Sequence, residues 1–237
     1  MKQLLTILCL VLLVSCSNEV PSDKLVERGD ITYGVNSEKP FTGTSVEYYL
    51  DTIIKDEFED RVLWKRTTYK DGVLDGLNES FHPNGQLKEN RNYKNGKMNG
   101  SQEDFYENGQ LKNIYSFKNG TQEGLREQFW DNGQVMIRTN YLNDKEQGLM
   151  EGFRQDGTLK LKGEYDQGIR LSLQEFSTEG VLLTNLTDKD RKETEQETYH
   201  GNGQLWTRGN FKNGKEEGLH ETYNENGQLS QKQHYKN

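Results

Sequence analysis

Four histidines, His82, His200, His220 and His234, are the first residues to weigh for chemistry. A metal site or an acid–base couple needs two or more such groups close together. His82 and His200 occupy the same place in a repeating pattern, five units apart. At ~4.8 Å per strand they stand ~50 Å from one another and cannot share a metal. Both read as solvated side chains beside turns. Glu216-Glu217 and Asp188/Asp190 are carboxylate pairs, but acidic residues are scattered throughout and no spacing singles out a catalytic couple. No serine or cysteine is paired with a neighbouring histidine as an activated nucleophile would be. The Gly-rich stretches lead into no helix that could hold a phosphate. The residue types thus point away from catalysis, and away from a bound cofactor or metal.

One thiol offers a different chemistry. Lys2 gives a short positive start, and Leu4 to Val14 is apolar apart from Thr6. The run is too short to span a bilayer, so residues 1–15 read as a signal peptide. It ends Leu13-Val14-Ser15-Cys16, which resembles the bacterial lipobox. The Cys16 thiol can carry a diacylglyceryl group, and its new amino group can be acylated after cleavage. Two or more chains anchor stably at ~0.8 kcal/mol per buried methylene. Residues 16–27 are then a tether to the cell envelope, and Ser17 is compatible with an outer-membrane address in a Gram-negative cell. An ordinary cleaved signal ending near a cysteine is the alternative. Cys9, the only other cysteine, leaves with the signal, so the mature chain has no disulfide and no thiolate metal site.

The elements that must position everything else are turns. Asn-Gly or its equivalent puts glycine at Gly85, Gly109, Gly133, Gly157, Gly180, Gly203 and Gly227, steps of 24, 24, 24, 23, 23 and 24 residues. A second series runs in phase: Gly72, Gly96, Gly120, Asp144 as a substitute, Gly168 and Gly214. A fixed period in the 20–50 range marks stacked supersecondary units. Turn signals every 11–13 residues with short aromatic-bearing segments between them read as a strand meander. The chain has no alanine, which argues against helices. Hydrophobic content is only 31 %, too little for a thick two-layer core. The fold expected is all-β: an elongated antiparallel β-meander solenoid of ~24-residue hairpin repeats over residues 28–237. The net charge of −8 disfavours nucleic acid and anionic lipid as partners.

Hairpin register decides the faces. A two-residue loop at Asn84-Gly85 would put Phe81 and Leu87 on opposite sides. A three-residue loop, Pro83-Asn84-Gly85, makes them face each other, and proline suits the first central position of its type I turn. That register places three columns on one face. One is Phe81, Phe105, Phe129, Phe153, Phe176, Tyr199 and Tyr223. The second is Leu87, Leu111, Val135, Leu159, Leu182, Leu205 and Leu229. The third is Tyr69, Tyr93, Phe117, Tyr141, Tyr165, Phe211 and Tyr235.

The pattern Tyr-x-Asn-Gly-Gln-Leu-Lys followed by Tyr-Lys-Asn-Gly-Lys-x-x-Gly resembles the MORN-repeat variant, the form associated with the YwqK-like antitoxin family. Val35 to Thr44 resembles the first unit of that family. The resemblance implies a non-enzymatic interaction or scaffold module, in some relatives with phospholipid contacts. The antitoxin association implies a toxic protein partner, which fits poorly with an exported chain.

Two stretches depart from the pattern. About nine extra residues, 51–59, lengthen one hairpin and read as a longer tip or a partner loop. Thr184 to Gln196 lacks its aromatic and its Asn-Gly, which reads as a degenerate unit, a kink or a hinge, around 183–196. Trp64, Trp130 and Trp206 fall on the face opposite the Phe/Leu columns, with Tyr49 and Tyr106 in the Trp130 column. These five are the candidate partner-binding residues, because exposed apolar patches mark interaction sites. The competing reading covers them with the tether or with Lys and Arg stems. The expectation is therefore a lipid-anchored envelope protein presenting a sheet surface to protein partners. The alternatives are an immunity or antitoxin-like inhibitor and a binder of envelope glycan.

Overall fold

The computed structural model describes residues 19–49, 62–189 and 193–236. Cys16 and the 51–59 insertion lie outside the described residues. The chain begins with β1 (Glu19–Pro21), a short 3-10 turn (Ser22–Lys24), β2 (Leu25–Arg28), β3 (Ile31–Gly34) and β4 (Gly43–Tyr48). The repeat array follows as β5 (Leu63–Lys70), β6 (Val73–Phe81), β7 (Leu87–Lys94), β8 (Lys97–Phe105), β9 (Leu111–Lys118), β10 (Thr121–Gln122) and β11 (Gly124–Phe129). It continues through β12 (Val135–Leu142), β13 (Lys145–Phe153), β14 (Leu159–Asp166), β15 (Ile169–Phe176) and β16 (Leu182–Lys189). It ends with β17 (Glu193–Tyr199), β18 (Leu205–Lys212), β19 (Lys215–Tyr223) and β20 (Leu229–Tyr235). Strands β4 to β20 form a long open antiparallel meander, in which β10 and β11 are one run interrupted at Glu123. No described helix is long and apolar enough to cross a membrane.

Two turn types alternate, as the glycine series require. In the first, Gly85 adopts φ +82° and its N–H donates to the His82 carbonyl at 2.8 Å. Phe81 pairs with Leu87, the three-residue loop expected from Pro83. In the second, Asn95 (φ +48°) and Gly96 (φ +75°) form a two-residue turn closed by the Lys94–Lys97 pair. Both central residues are left-handed, which matches the right-handed twist of the strands.

The third aromatic column does not share the Phe/Leu face. Along β6, Phe81 and Gly76 are five residues apart and therefore face opposite ways. Phe81 pairs with Leu87, whereas Gly76 pairs with Tyr93. The cause is a bulge: Ser80 pairs with Glu89, so Lys88 is an extra residue. One extra residue sends the remainder of the strand to the other side. Each unit thus has a Phe/Leu face and a Tyr face. Gln102, Asn113, Thr139 and Met150, on the Tyr face, are buried, while Arg138, Asn140 and Lys162, on the Phe/Leu face, are exposed. Among the described residues Val46 and Met150 are the only buried hydrophobic side chains. The array has no thick core. Sheet twist and side-chain ladders hold it together.

Residues 19–27, expected in the tether, are built into the fold. β1 runs parallel to β4, with Val20 opposite Ser45. β2 and β3 form a small hairpin tied to the first turn by Thr32 N–H to Gly72 O (2.9 Å), and the segment between β3 and β4 adds Gly72 N–H to Phe41 O (2.7 Å). A Cβ at Gly72 would meet Ile31 Cγ2 at 2.4 Å, so only glycine fits there. These segments cover the first edge of the array, as terminal caps of stacked repeats must. The degenerate stretch is a real unit: β16 and β17 pair in continuous register from Thr184–Thr198 to Lys189–Glu193.

Candidate functional site

In six units the residue directly after the strand-end aromatic has the same task. Tyr49 donates its hydroxyl to Phe81 O (2.7 Å), Tyr106 to Phe129 O (2.8 Å), and Trp130 its indole N–H to Phe153 O (3.2 Å). His82 Nε2 meets Phe105 O at 3.1 Å and His200 Nε2 meets Tyr223 O at 2.9 Å. A carbonyl only accepts, so Nε2 carries the proton in both histidines. Arg154 donates to Phe176 O in the same way. The physical reason lies in the ladder. Pairing between units ends at Glu89–Asp104 and at Ile137–Gly152, and the carbonyl just past each end is taken up by the side chain of the preceding unit. These residues are staples between units.

The loop asparagines form a second inter-unit ladder. Asn84, Asn108 and Asn132 each accept from the N–H two residues on at 3.0 Å. Each also donates Nδ2 to the next loop: Glu107 O (2.8 Å), Asp131 O (3.2 Å) and Gln155 O (2.8 Å). Asn202 repeats this with Glu225 O at 2.9 Å.

The five candidate aromatics therefore divide. Tyr49, Tyr106 and Trp130 are half-buried staples, and Trp130 obeys a packing repeat that its residue type concealed. The repeat is chemical, a terminal N–H or O–H at one position, so Tyr, His, Trp and Arg serve alike. His82 and His200, expected to be solvated, belong to it too. Trp64 and Trp206 are 43 % and 50 % exposed. Each lies beside a staple: Trp64 at 6.4 Å from the Tyr49 ring, Trp206 at 5.8 Å from the His200 ring. The structure does not bring the two together. Twelve strand steps separate them, ~58 Å across the sheet at ~4.8 Å per step.

Charges on the Phe/Leu face alternate across the strands. Arg138 lies 2.8 Å from Glu127 and 3.9 Å from Glu151, and Arg208 lies 2.8 Å from Glu197. Hydrogen bonds from Tyr199, Asn185 and Arg208 hold the Glu197 carboxyl below its usual range despite its burial. Burial, then the Glu197 carboxylate, push the Tyr199 hydroxyl up to about 12. On the other face, burial raises Tyr69, Tyr115 and Tyr165. Such phenols are neutral and structural. Among the described residues no cluster of His, Cys, Asp and Glu is placed to hold a metal.

With this geometry in view, the family comparison has a clear reading. Five of the units match the MORN repeat variant. The matched stretches are residues 74–95, 98–119, 122–143, 192–213 and 216–237. Each matched stretch up to 143 is one pair of strands joined by the three-residue loop, with the two-residue turns at its ends. The described stretch between them, 144–189, continues the same antiparallel meander but lacks part of the MORN side-chain pattern. No curated protein matches the chain.

Proposed function

We propose that this MORN-repeat chain is a non-enzymatic scaffold whose sheet presents docking surface to protein partners. The observation that carries the reading is how its polar chemistry is used. Staple histidines, tyrosines and asparagines are committed to carbonyls of the next unit, whereas Trp64 and Trp206 remain exposed. Rigid aromatic surface without a reaction centre suits recognition. Tyr49, Tyr106 and Trp130 belong to the reading as the supports of that surface. Cys16 lipidation would hold the scaffold at the bacterial envelope, where its partners would be found.

The test is capture of partners from envelope extracts by wild type, Trp64→Ala and Trp206→Ala. Surface substitutions usually shift stability by no more than about 0.5 kcal/mol. Loss of a captured protein by a variant that melts like wild type supports the reading. Capture unaffected by either change, or binding of isolated envelope glycan instead, refutes it. Cys16→Ser should move the chain from the membrane to the soluble fraction; identical fractionation would refute the anchor.

A further inference from the structure

Exposed leucines cross the middle of the Phe/Leu face, away from Trp64 and Trp206. Leu125 on β11 and Leu149 on β13 hold the same register position, and each is 38 % exposed. On β15 that position is Ser172, opposite Glu164, and the unpaired bulge residue beside it, Leu171, is 41 % exposed. The residue paired with Leu125 on β12 is Asn140, and that paired with Leu149 on β14 is Glu164. Both are exposed and polar. Leucine thus stands on every second strand, ~9.6 Å apart, with a gap between.

Beside the leucines runs the charge row. Register places Glu127, Arg138, Glu151 and Lys162 directly across β11, β12, β13 and β14. The order is minus, plus, minus, plus. An alternating row of even length is complementary to its own reverse.

We propose that this face docks a second copy of the same chain, about a two-fold axis parallel to the strands and passing between β12 and β13. That rotation reverses the row. Glu127 then faces Lys162 of the second copy, and Arg138 faces its Glu151. The same rotation sets each leucine over a gap in the opposite row, so leucines of the two copies interleave at ~4.8 Å, tooth between teeth. Both matches follow from one axis position. Shifting the axis by half a strand spacing, onto β12, slips the register by one strand and puts Arg138 on Arg138 and Glu127 on Glu151. A repulsive neighbouring register is what gives an interface specificity. The arrangement is aligned sheet-on-sheet packing at ~10 Å. It is isologous and closes at two copies. Three leucines per copy make a small apolar contact, so a weak, concentration-dependent dimer is expected.

The experiment is sedimentation equilibrium of the full chain from about 1 to 200 μM, with circular dichroism confirming folding. Wild type should dimerise within that range. Leu149→Glu should weaken dimerisation by at least tenfold. Lys162→Glu and Glu127→Lys, each alone, should do the same. Mixed in equal amounts, those two variants should recover a heterodimer, since each contact then joins opposite charges. The proposal is overturned by a wild type that stays monomeric, by a dimer indifferent to Leu149→Glu, or by folded charge variants that fail to rescue each other. A monomeric wild type that loses a captured protein on Leu149→Glu would assign the face to another partner. The readout is self-association, so failure here is separable from failure of the tryptophan surface.

Discussion

Units between residues 74 and 143 and the stretch 144–189 share one antiparallel meander and differ in what ties them together. In the first region each loop has an asparagine that reaches the next loop, and Tyr106 and Trp130 staple adjacent units. In the second, Asp156 and Glu179 stand where asparagine would, and neither carboxylate can donate. Ser177 replaces the staple and turns its hydroxyl on its own loop, accepting from Glu179 and Val181 N–H. Asp188 takes the place of the third aromatic and is held by Arg170 and Thr194. Yet β13 to β17 pair without a break. Turn geometry and register therefore specify the meander, and the side-chain ties set how firmly neighbouring units hold.

The largest effect expected is at a loop glycine. Gly109 and Gly180 have φ of +81° and +82°. Valine is strained at either site, but only at Gly109 does an added Cβ meet a neighbour, Gln86 Oε1 at 2.8 Å. Gly109→Val should cost about 2–3 kcal/mol, and Gly180→Val measurably less. Equal losses in chemical denaturation would mean the Gln86 contact is irrelevant. Next comes the staple. Trp130→Ala should cost about 2 kcal/mol, near the cost of Phe129→Ala, because both half-buried rings lose packing and the Phe153 carbonyl loses its donor. A Trp130→Ala protein that melts like wild type would remove the staple from the account and return Trp130 to the surface.

Much of this was legible in the chain. The glycine series marked both turns and the meander, and Pro83 selected the three-residue loop and with it the Phe81–Leu87 pairing. Three features were not. The Lys88 bulge leaves no mark on a pattern of alternating residues, so the Tyr93 column was placed on the wrong face. The staple was hidden because Tyr49, His82, Tyr106, Trp130 and Arg154 share a donor and not a residue class. A scan for any terminal donor one residue past each strand-end aromatic would have found it. Residues 19–27 looked like a tether because a capping segment pairs with only one neighbour and needs no repeat signature.

A smaller effect should separate the two regions from the other direction. Asn132→Asp removes the donor to Gln155 O and should cost about 1 kcal/mol. Asp156→Asn supplies a donor where the ladder is missing and should gain about 0.5 kcal/mol if the next loop is spaced as in the first region. Its Oδ1 can still accept from Thr158 N–H, as the aspartate does at 2.9 Å. If Asp156→Asn destabilises, the loops of the second region are spaced differently and the asparagine ladder is not transferable.

The smallest effect distinguishes tyrosine from phenylalanine in the first column. Tyr199 donates to its own Glu197 at 2.7 Å and Tyr223 to Glu221 at 2.9 Å, whereas phenylalanine fills this column from Phe81 to Phe176 and cannot. Tyr199→Phe should cost about 0.5 kcal/mol at neutral pH, kept small by solvent around the pair. The Glu197 carboxyl is held below its ordinary value, so the folded state favours the ionised form. Its contribution is complete above the unfolded carboxylate range and is lost as pH falls through the lowered folded value. A hydrogen bond to a neutral carboxyl is about half as strong, so the gap between wild type and Tyr199→Phe should narrow in acid. On the alkaline side the raised hydroxyl works the other way. Its contribution is complete below the ordinary tyrosine value and disappears as pH rises towards about 12. Melting both proteins across the acid range gives the decision: a gap that stays constant while Glu197 protonates would show that the Tyr199 hydroxyl contributes through packing and not through the carboxylate.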